Sequence, residues 1–406
     1  MLGEDPIVVI GGGAAGFFAA LSCKEHHPEA RVILVEKSKK PLAKVKISGG
    51  GRCNVTHACF SPRELISNYP RGSKELLGPF HQFGPQETVD WFAKRGVLLK
   101  TEEDGRMFPI TDSSETILNC FFGEADKVGI ELLLQEGIDH IEKQGERFSL
   151  SLHSGKQIQA SSLIFATGSS FQGWEMLRSL GHTITPPVPS LFTYPIPTSP
   201  LLSLSGIAVE DVEVSFSKGK KVRGPLLLTH WGFSGPAVLK LSAFEARNLH
   251  ALNYHTTVFL NWAPSYKLAM LEEKLFSLKK HHPQATLATH CPISLPKNLW
   301  RALLLHWEIS FARKVGTLPD KIFRKIAARL IQDPYQIEGK TTYKQEFVTC
   351  GGVALSEVDF QTMESRLIPQ LYFAGEVLDI DGVTGGFNFQ NAWTTGWIAG
   401  QIKNIV

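Results

Sequence analysis

Three glycines near the start of the chain, Gly11, Gly13 and Gly16, stand in the spacing G-x-G-x-x-G, and Glu36 follows twenty residues after the last of them. Each has a physical task if the ligand is a dinucleotide. Gly11 permits a tight turn, Gly13 lets main chain approach a pyrophosphate, and Gly16 lets a helix pack closely on a strand, with the helix N-terminus facing the anion. Glu36 would accept hydrogen bonds from the hydroxyls of the adenosine ribose.

That fingerprint does not distinguish nicotinamide from flavin dinucleotides; three further segments do. The first carries Lys44, Lys46, Ser48, Gly49, Gly50, Gly51, Arg52, Cys53 and Asn54. Successive glycines let main chain approach a flat ligand without side-chain clash, while Ser48, Arg52 and Asn54 supply donors to a ring edge or to phosphates. The second is an apolar run stopped by Ala166, Thr167 and Gly168. The third begins at Phe373, Ala374, Gly375 and Glu376, passes Asp379, Asp381 and Gly382, and ends in Gly385, Gly386, Phe387 and Asn388. The acid at a strand end suits the ribityl and pyrophosphate part of FAD. The glycine pair opens a last helix whose amides can face the flavin pyrimidine edge and favour the reduced, anionic ring.

Positioning these segments requires a parallel sheet. Ile7 to Ile10, Val32 to Val35, Leu163 to Ala166 and Leu371 to Ala374 are short, wholly apolar runs, the pattern of strands covered on both faces. Helices are predicted from the apolar stretch Phe17 to Cys23, over 85–96 and 114–128, and from the glycine pair to about Ile402. Short strands are predicted over 130–134, 138–142, 148–152 and 156–160. Pro186, Pro187, Pro189, Pro195, Pro197 and Pro200 suit an extended linker. Beyond them residues 207–262 read as strand-rich and 264–330 as helical. The predicted organisation is an N-terminal part of the dinucleotide domain over 1–189, an inserted β-rich domain over 190–262, a helical subdomain over 263–345 that returns to it, and the C-terminal part of the first domain over 346–406. The fold class is α/β, a discontinuous Rossmann-like FAD-binding domain of the glutathione-reductase type with an insertion.

The strings Ser48 to Thr56, Leu226 to Ser242, Thr349 to Asp359, Thr362 to Arg366 and Leu371 to Trp393 resemble the BaiN/YhiN family of bacterial FAD-dependent oxidoreductases, over essentially the whole chain. The resemblance implies non-covalent FAD and the same division into a discontinuous FAD domain, an inserted β-rich domain and a small helical domain. Family names include 3-dehydro-bile-acid reductase and aminoacetone oxidase. It further implies that FAD touches Gly11, Gly13, Ala14, Ala15, Glu36, Lys37, Lys44, Ser48 through Asn54, Thr167, Gly168, Gly375, Glu376, Asp381, Gly385, Gly386, Phe387 and Asn388, with Ile138 meeting the adenine through its backbone. Phe387 and Phe389 are conservative departures from the family's closing string.

The chemistry is bounded by what the sequence lacks. There is no second G-x-G-x-x-G after residue 170 and no CxxC, so neither a nicotinamide domain of the usual kind nor a dithiol reductase is expected; NAD(P)H remains possible as reductant from a site without the fingerprint. The expectation is hydride transfer between flavin N5 and a small-molecule substrate, with His230, Arg52 or Tyr343 handling the proton. His230 follows a buried strand and precedes a glycine-rich turn, a place where a domain interface could turn it toward the flavin. Formal net charge is +3 and hydrophobic content 43%, ordinary for a globular protein and too weakly basic to favour nucleic acid. The competing class is a flavin-binding RNA-associated protein without turnover, gripping RNA through Lys37, Lys39, Lys40, Lys44 and Lys46 and through Lys218, Lys220, Lys221 and Arg223. Scattered cysteines, no metal-ligand spacing, no apolar run of membrane-spanning length and Glu4 and Asp5 at the N-terminus indicate a cytoplasmic protein with neither disulfides nor bound metal.

Overall fold

A computed structural model describes residues 5–341 and 348–403; Tyr343 lies outside the described residues. The chain divides into two units, Met1–Pro189 with Lys344–Val406, and Ser190–Tyr343.

In the first unit, β1 (Ile7–Ile10) is wholly buried and leads through the glycine turn into α1 (Ala14–His26) and then β2 (Val32–Glu36). Three more strands join them: β3 (Glu131–Leu134), β4 (Ser162–Phe165) and β5 (Leu371–Phe373). The order β3-β2-β1-β4-β5 is parallel throughout. It is extended by two short antiparallel strands, Glu364–Ser365 and Val358–Asp359. Registers pair Ile10 with both Val35 and Phe165, and Phe165 with Phe373. The carboxyl ends of all four central strands therefore reach one edge, where ligands of open α/β sheets bind.

The last helix, α2 (Phe387–Ala399), lies on α1 because small residues line the contact. A side chain at Gly396 would meet the Ala15 carbonyl oxygen at 2.7 Å, and one at Gly400 would meet Ser22 Cβ at 2.5 Å. Contacts thus progress in the same direction along both helices, which brings their N-termini to one end. Phe18, Phe121 and Trp393 pack between them and the helix Pro85–Ala93, with ring centroids 5.4 to 6.2 Å apart. A buried polar chain fixes α2 in register: Gln390 accepts from the Thr56 hydroxyl (2.6 Å) and the Thr88 hydroxyl (3.1 Å), and the Trp393 indole donates to the Val55 carbonyl (2.8 Å).

The proline-dense segment is not a linker throughout. Ile184–Ser190 is a strand hydrogen-bonded to Val348–Val353. Ala354 N donates to the Thr183 carbonyl, and Gly351 lies against Pro187, so the two run antiparallel. Prolines are tolerated because a two-stranded ribbon consists only of edges.

The Ser190–Tyr343 unit holds a six-stranded sheet in the order 194–195, 232–234, 221–228, 208–215, 255–261, 333–338, antiparallel at each pairing. Within the stretch expected to be strand-rich, Pro236–Phe244 and Ala246–Ala251 are helices. Pro236 at the first helical position and Gly235 (φ 96°) before it start the turn, and Ala237, Val238 and Leu241 bury one face. Helices Leu268–His281, Lys297–His306 and Asp320–Ile331 follow before the chain returns to the sheet.

Candidate functional site

At the carboxyl edge of the parallel sheet the glycines have distinct tasks. Gly11 turns at φ 108°, and a side chain there would meet the Ala166 carbonyl oxygen at 2.5 Å. A Cβ at Gly16 would overlap the Gly11 carbonyl oxygen, so this glycine is required by the fold itself. Gly13 differs: its Cβ direction meets nothing within 4 Å. It opens onto free space above the N-terminus of α1, where the amides of Ala14 and Ala15 have no acceptor within the helix. Glu36 is oriented by two backbone amides, accepting from Gly12 (2.7 Å) and Ser38 (2.7 Å). Lys37 follows it, exposed at the same edge.

The segment Ala43–Gly51 begins as a helix and breaks at Ser48, whose hydroxyl donates to the Val45 carbonyl (2.8 Å). Gly49, Gly50 and Gly51 then take φ of 56°, 68° and 86°, a left-handed turn that side chains oppose. Side-chain positions at Gly50 and Gly51 are open, while Gly49 packs on Phe108. Cys53 is buried at φ 60°, and burial pushes its thiol up to about 12, so it is no nucleophile. Asn54 is oriented by its neighbours, its oxygen 2.9 Å from Gly386 N and its nitrogen 3.0 Å from the Thr56 carbonyl. It ties this loop to the start of α2.

Arg52 is committed elsewhere. Its guanidinium pairs with Glu102 (2.6 Å) and Asp112 (3.3 Å) and lies 3.9 Å above the Phe108 ring. The Glu102 and Asp112 carboxylates hold that guanidinium above its already high ordinary value.

Thr167 and Gly168 (φ 57°) follow β4, and the buried Thr167 hydroxyl has no hydrogen-bond partner among the described residues. After β5, Gly375 (φ 75°) allows the chain to pass Ala15, whose Cβ would lie 2.8 Å from a side chain there. Glu376 bridges to Lys44 (2.6 Å) and accepts from Thr349 N (2.9 Å). Asp381 is fully buried and receives Arg71 Nε at 2.5 Å. Asn388 closes the glycine loop by bonding Gly382 through both amide atoms (2.8 and 2.9 Å). Gly386 (φ 94°) caps α2, and the rings of Phe387 and His57 stack at 4.7 Å. Ile138 opens its strand with its carbonyl accepting from Gln172 (3.2 Å), on the helix after Gly168.

Arg71, His57 and Gln390 escaped the sequence reading. None sits in a glycine motif, and each meets its partner more than 300 residues away in the chain. His230 lies in the other unit, exposed at the tip of a tight turn in which Thr229 and Gly232 exchange hydrogen bonds. Its ring sits edge-on to Trp231 at 4.3 Å.

The donor set suits a flavin dinucleotide. Open positions at Gly13, Gly50 and Gly51 leave room for a ligand beside the chain, the Thr167 hydroxyl awaits a partner, and two helix N-termini at one end offer unpaired amides to anionic groups. A parallel sheet with this edge defines a FAD-dependent oxidoreductase. The HI0933-like protein Rossmann domain matches residues 5–402, and the chain belongs to that family.

A protein of Escherichia coli (strain K12) named ribosomal RNA dihydrouridine synthase is 31% identical over 97% of this chain and 96% of its own. A Clostridium scindens protein named 3-dehydro-bile acid delta(4,6)-reductase is 27% identical over 97% of this chain and 98% of its own. A flavocytochrome c3 fumarate reductase in its open conformation shares the fold, with TM-score 0.51 and 16% identity, over 98% of this chain and 78% of its own. No helix among the described residues is long and apolar enough to cross a membrane.

Proposed function

We propose that the protein reduces a carbon–carbon double bond conjugated to a carbonyl, and that its substrate is uridine within ribosomal RNA. The observation that carries this is full-length likeness to two relatives whose names share one chemistry, saturation of a carbon–carbon double bond. In uracil the C5–C6 double bond is conjugated to the C4 carbonyl, so C6 accepts hydride and C5 takes the proton. The stronger likeness, 31% against 27%, favours the RNA substrate.

When bound, FAD supplies the hydride, NAD(P)H having provided its electrons. The residues of the chain do the rest. The amides of Ala14 and Ala15 would hold the pyrophosphate and Glu36 the ribose, with the exposed Lys37 adding positive charge near the phosphates. Ser48, the glycines and Asn54 would line the ring, and the first amides of α2 would offset negative charge on its pyrimidine edge. Asp381 acts through Arg71, holding the loop that leads to Gly385. Because Arg52 is engaged by two carboxylates, His230 is the better donor of the proton to C5.

The test is anaerobic incubation of holoenzyme and NADPH or NADH with unmodified ribosomal RNA, followed by nucleoside mass spectrometry. Dihydrouridine, a uridine heavier by two hydrogens, is expected. RNA left unchanged while a conjugated steroid ketone is reduced would refute the uridine assignment and keep the double-bond chemistry.

A further inference from the structure

We propose that the helical segment 263–332 carries a docking surface for the phosphate backbone of RNA, a step that rests on the RNA reading above. Its centre is a groove of about 380 Å³ between the helix Leu268–His281 and the stretch His290 to Pro292.

Charge is the first support. Segment 263–332 holds twelve Lys and Arg against four Asp and Glu, leaving thirty against thirty-five in the rest of the chain. Of the nine cations in the basic runs that the sequence brought forward, four are paired with carboxylates. Lys44 pairs with Glu376, Lys46 with Glu115, Lys221 with Glu213 and Arg223 with Asp211. In the helical segment the exposed Lys280, Lys297, Arg301, Arg313 and Lys314 have no carboxylate partner among the described residues. Asp320 is spent on Lys279 (2.7 Å).

Geometry is the second. Lys274 and His281 are seven residues apart, two turns along one helix face, with Ser277 between them. Across the groove stand His290 and Cys291, and Lys274 spans it to the Pro292 carbonyl (3.2 Å). His282 stacks toward His290 at 5.9 Å. The bridge between Thr286 and Lys314, with Val315 N donating to the Ala285 carbonyl (2.8 Å), sets Arg313 and Lys314 beside the chain entering the groove. A concave rim of ammonium, imidazole and hydroxyl donors suits discrete phosphate oxygens. An anionic membrane would instead call for a convex apolar face.

The experiment uses full-length holoenzyme and the triple variant Lys280→Glu/Arg313→Glu/Lys314→Glu, with the matching Lys280→Gln/Arg313→Gln/Lys314→Gln variant as the gentler perturbation. FAD content and reduction of the flavin by NADPH should match the wild type. Retention of a ribosomal RNA fragment should fall about tenfold or more. The salt slope should shrink by roughly two, from about 0.7 per lost contact on single-stranded RNA. Equal affinity and slope in both variants would overturn the docking surface, as would a wild type retained by phosphatidylserine vesicles and not by RNA. Weakened RNA retention without any dihydrouridine formation would uphold the surface and sink the uridine reading. Unchanged RNA retention with dihydrouridine formed equally well by all three proteins would do the reverse.

Discussion

Replacing Gly13 by alanine should separate what the glycines do for the ligand from what they do for the fold. Gly13 is extended (φ −90°, ψ −168°), a conformation open to any residue, and an added Cβ meets no atom within 4 Å. In the flavin-free protein two small effects oppose. A stiffer unfolded chain stabilises by about 0.4–1 kcal/mol, and alanine as a poorer helix cap costs a similar ~0.5–1 kcal/mol. The ligand, by contrast, loses the space the methyl occupies. Moving a pyrophosphate off the Ala14 and Ala15 amides forfeits at least one charged hydrogen bond, about 1.5–3 kcal/mol, which is roughly 10- to 150-fold in Kd. Gly16→Ala is the counterpart, because its Cβ would overlap the Gly11 carbonyl oxygen. That overpacking costs about 1–3 kcal/mol or more without any ligand, and each kcal/mol lowers Tm by about 2–4 °C. The assay is fluorescence titration of flavin-free protein with FAD, beside melting curves without FAD. Wild-type affinity in Gly13→Ala, or a flavin-free melt as low as that of Gly16→Ala, would refute the division of labour.

His230→Ala should retain FAD and slow substrate-coupled flavin oxidation about a hundredfold, the scale of a positioned acid; wild-type turnover in stopped-flow absorbance would mark it as a turn residue. Asp333, buried under the Trp262 and Trp307 indoles (3.0 and 2.9 Å) and the Tyr335 hydroxyl (2.5 Å), should cost about 3 kcal/mol or more as Asp333→Ala, because three donors lose their acceptor. Desolvation raises its carboxyl, so its contribution is complete below the unfolded value of about 3.9. That contribution fades as pH rises through the folded value. Asp333→Asn should therefore gain stability relative to wild type with rising pH, and parallel denaturation profiles would contradict this. Cys53, pushed up to about 12 by burial, exposes about one thiolate in 10⁴ at pH 8; iodoacetamide mapping should label Cys59 first, and prompt labelling of Cys53 would show the loop to be open.

The sheet edge was legible because doubly covered strands are written as unbroken apolar runs and the glycine spacing is local. Glu36 could be placed from its distance in sequence alone. Its partners could not, since the amides of Gly12 and Ser38 reach it only through the fold. Arg52 looked like a free cation beside three glycines, yet the hairpin carrying Glu102 and Asp112 folds back upon it. The Arg71–Asp381 pair joins residues 310 apart and belongs to no motif. Pro186 and Pro187 suggested a linker because composition cannot reveal a pairing strand that lies more than 150 residues further on. A net charge of +3 likewise averaged a basic helical segment against a more acidic remainder.

The ribbon formed by Ile184–Ser190 and Val348–Val353 gives the Ser190–Tyr343 unit its doorway. The chain departs and returns side by side, so a short bridge between the ribbon's strands could replace everything beyond it. Closing such a gap costs little entropy whatever the length of the excursion, since the penalty grows only logarithmically. Evolution can therefore exchange what hangs from this doorway without redrawing the sheet that serves the flavin.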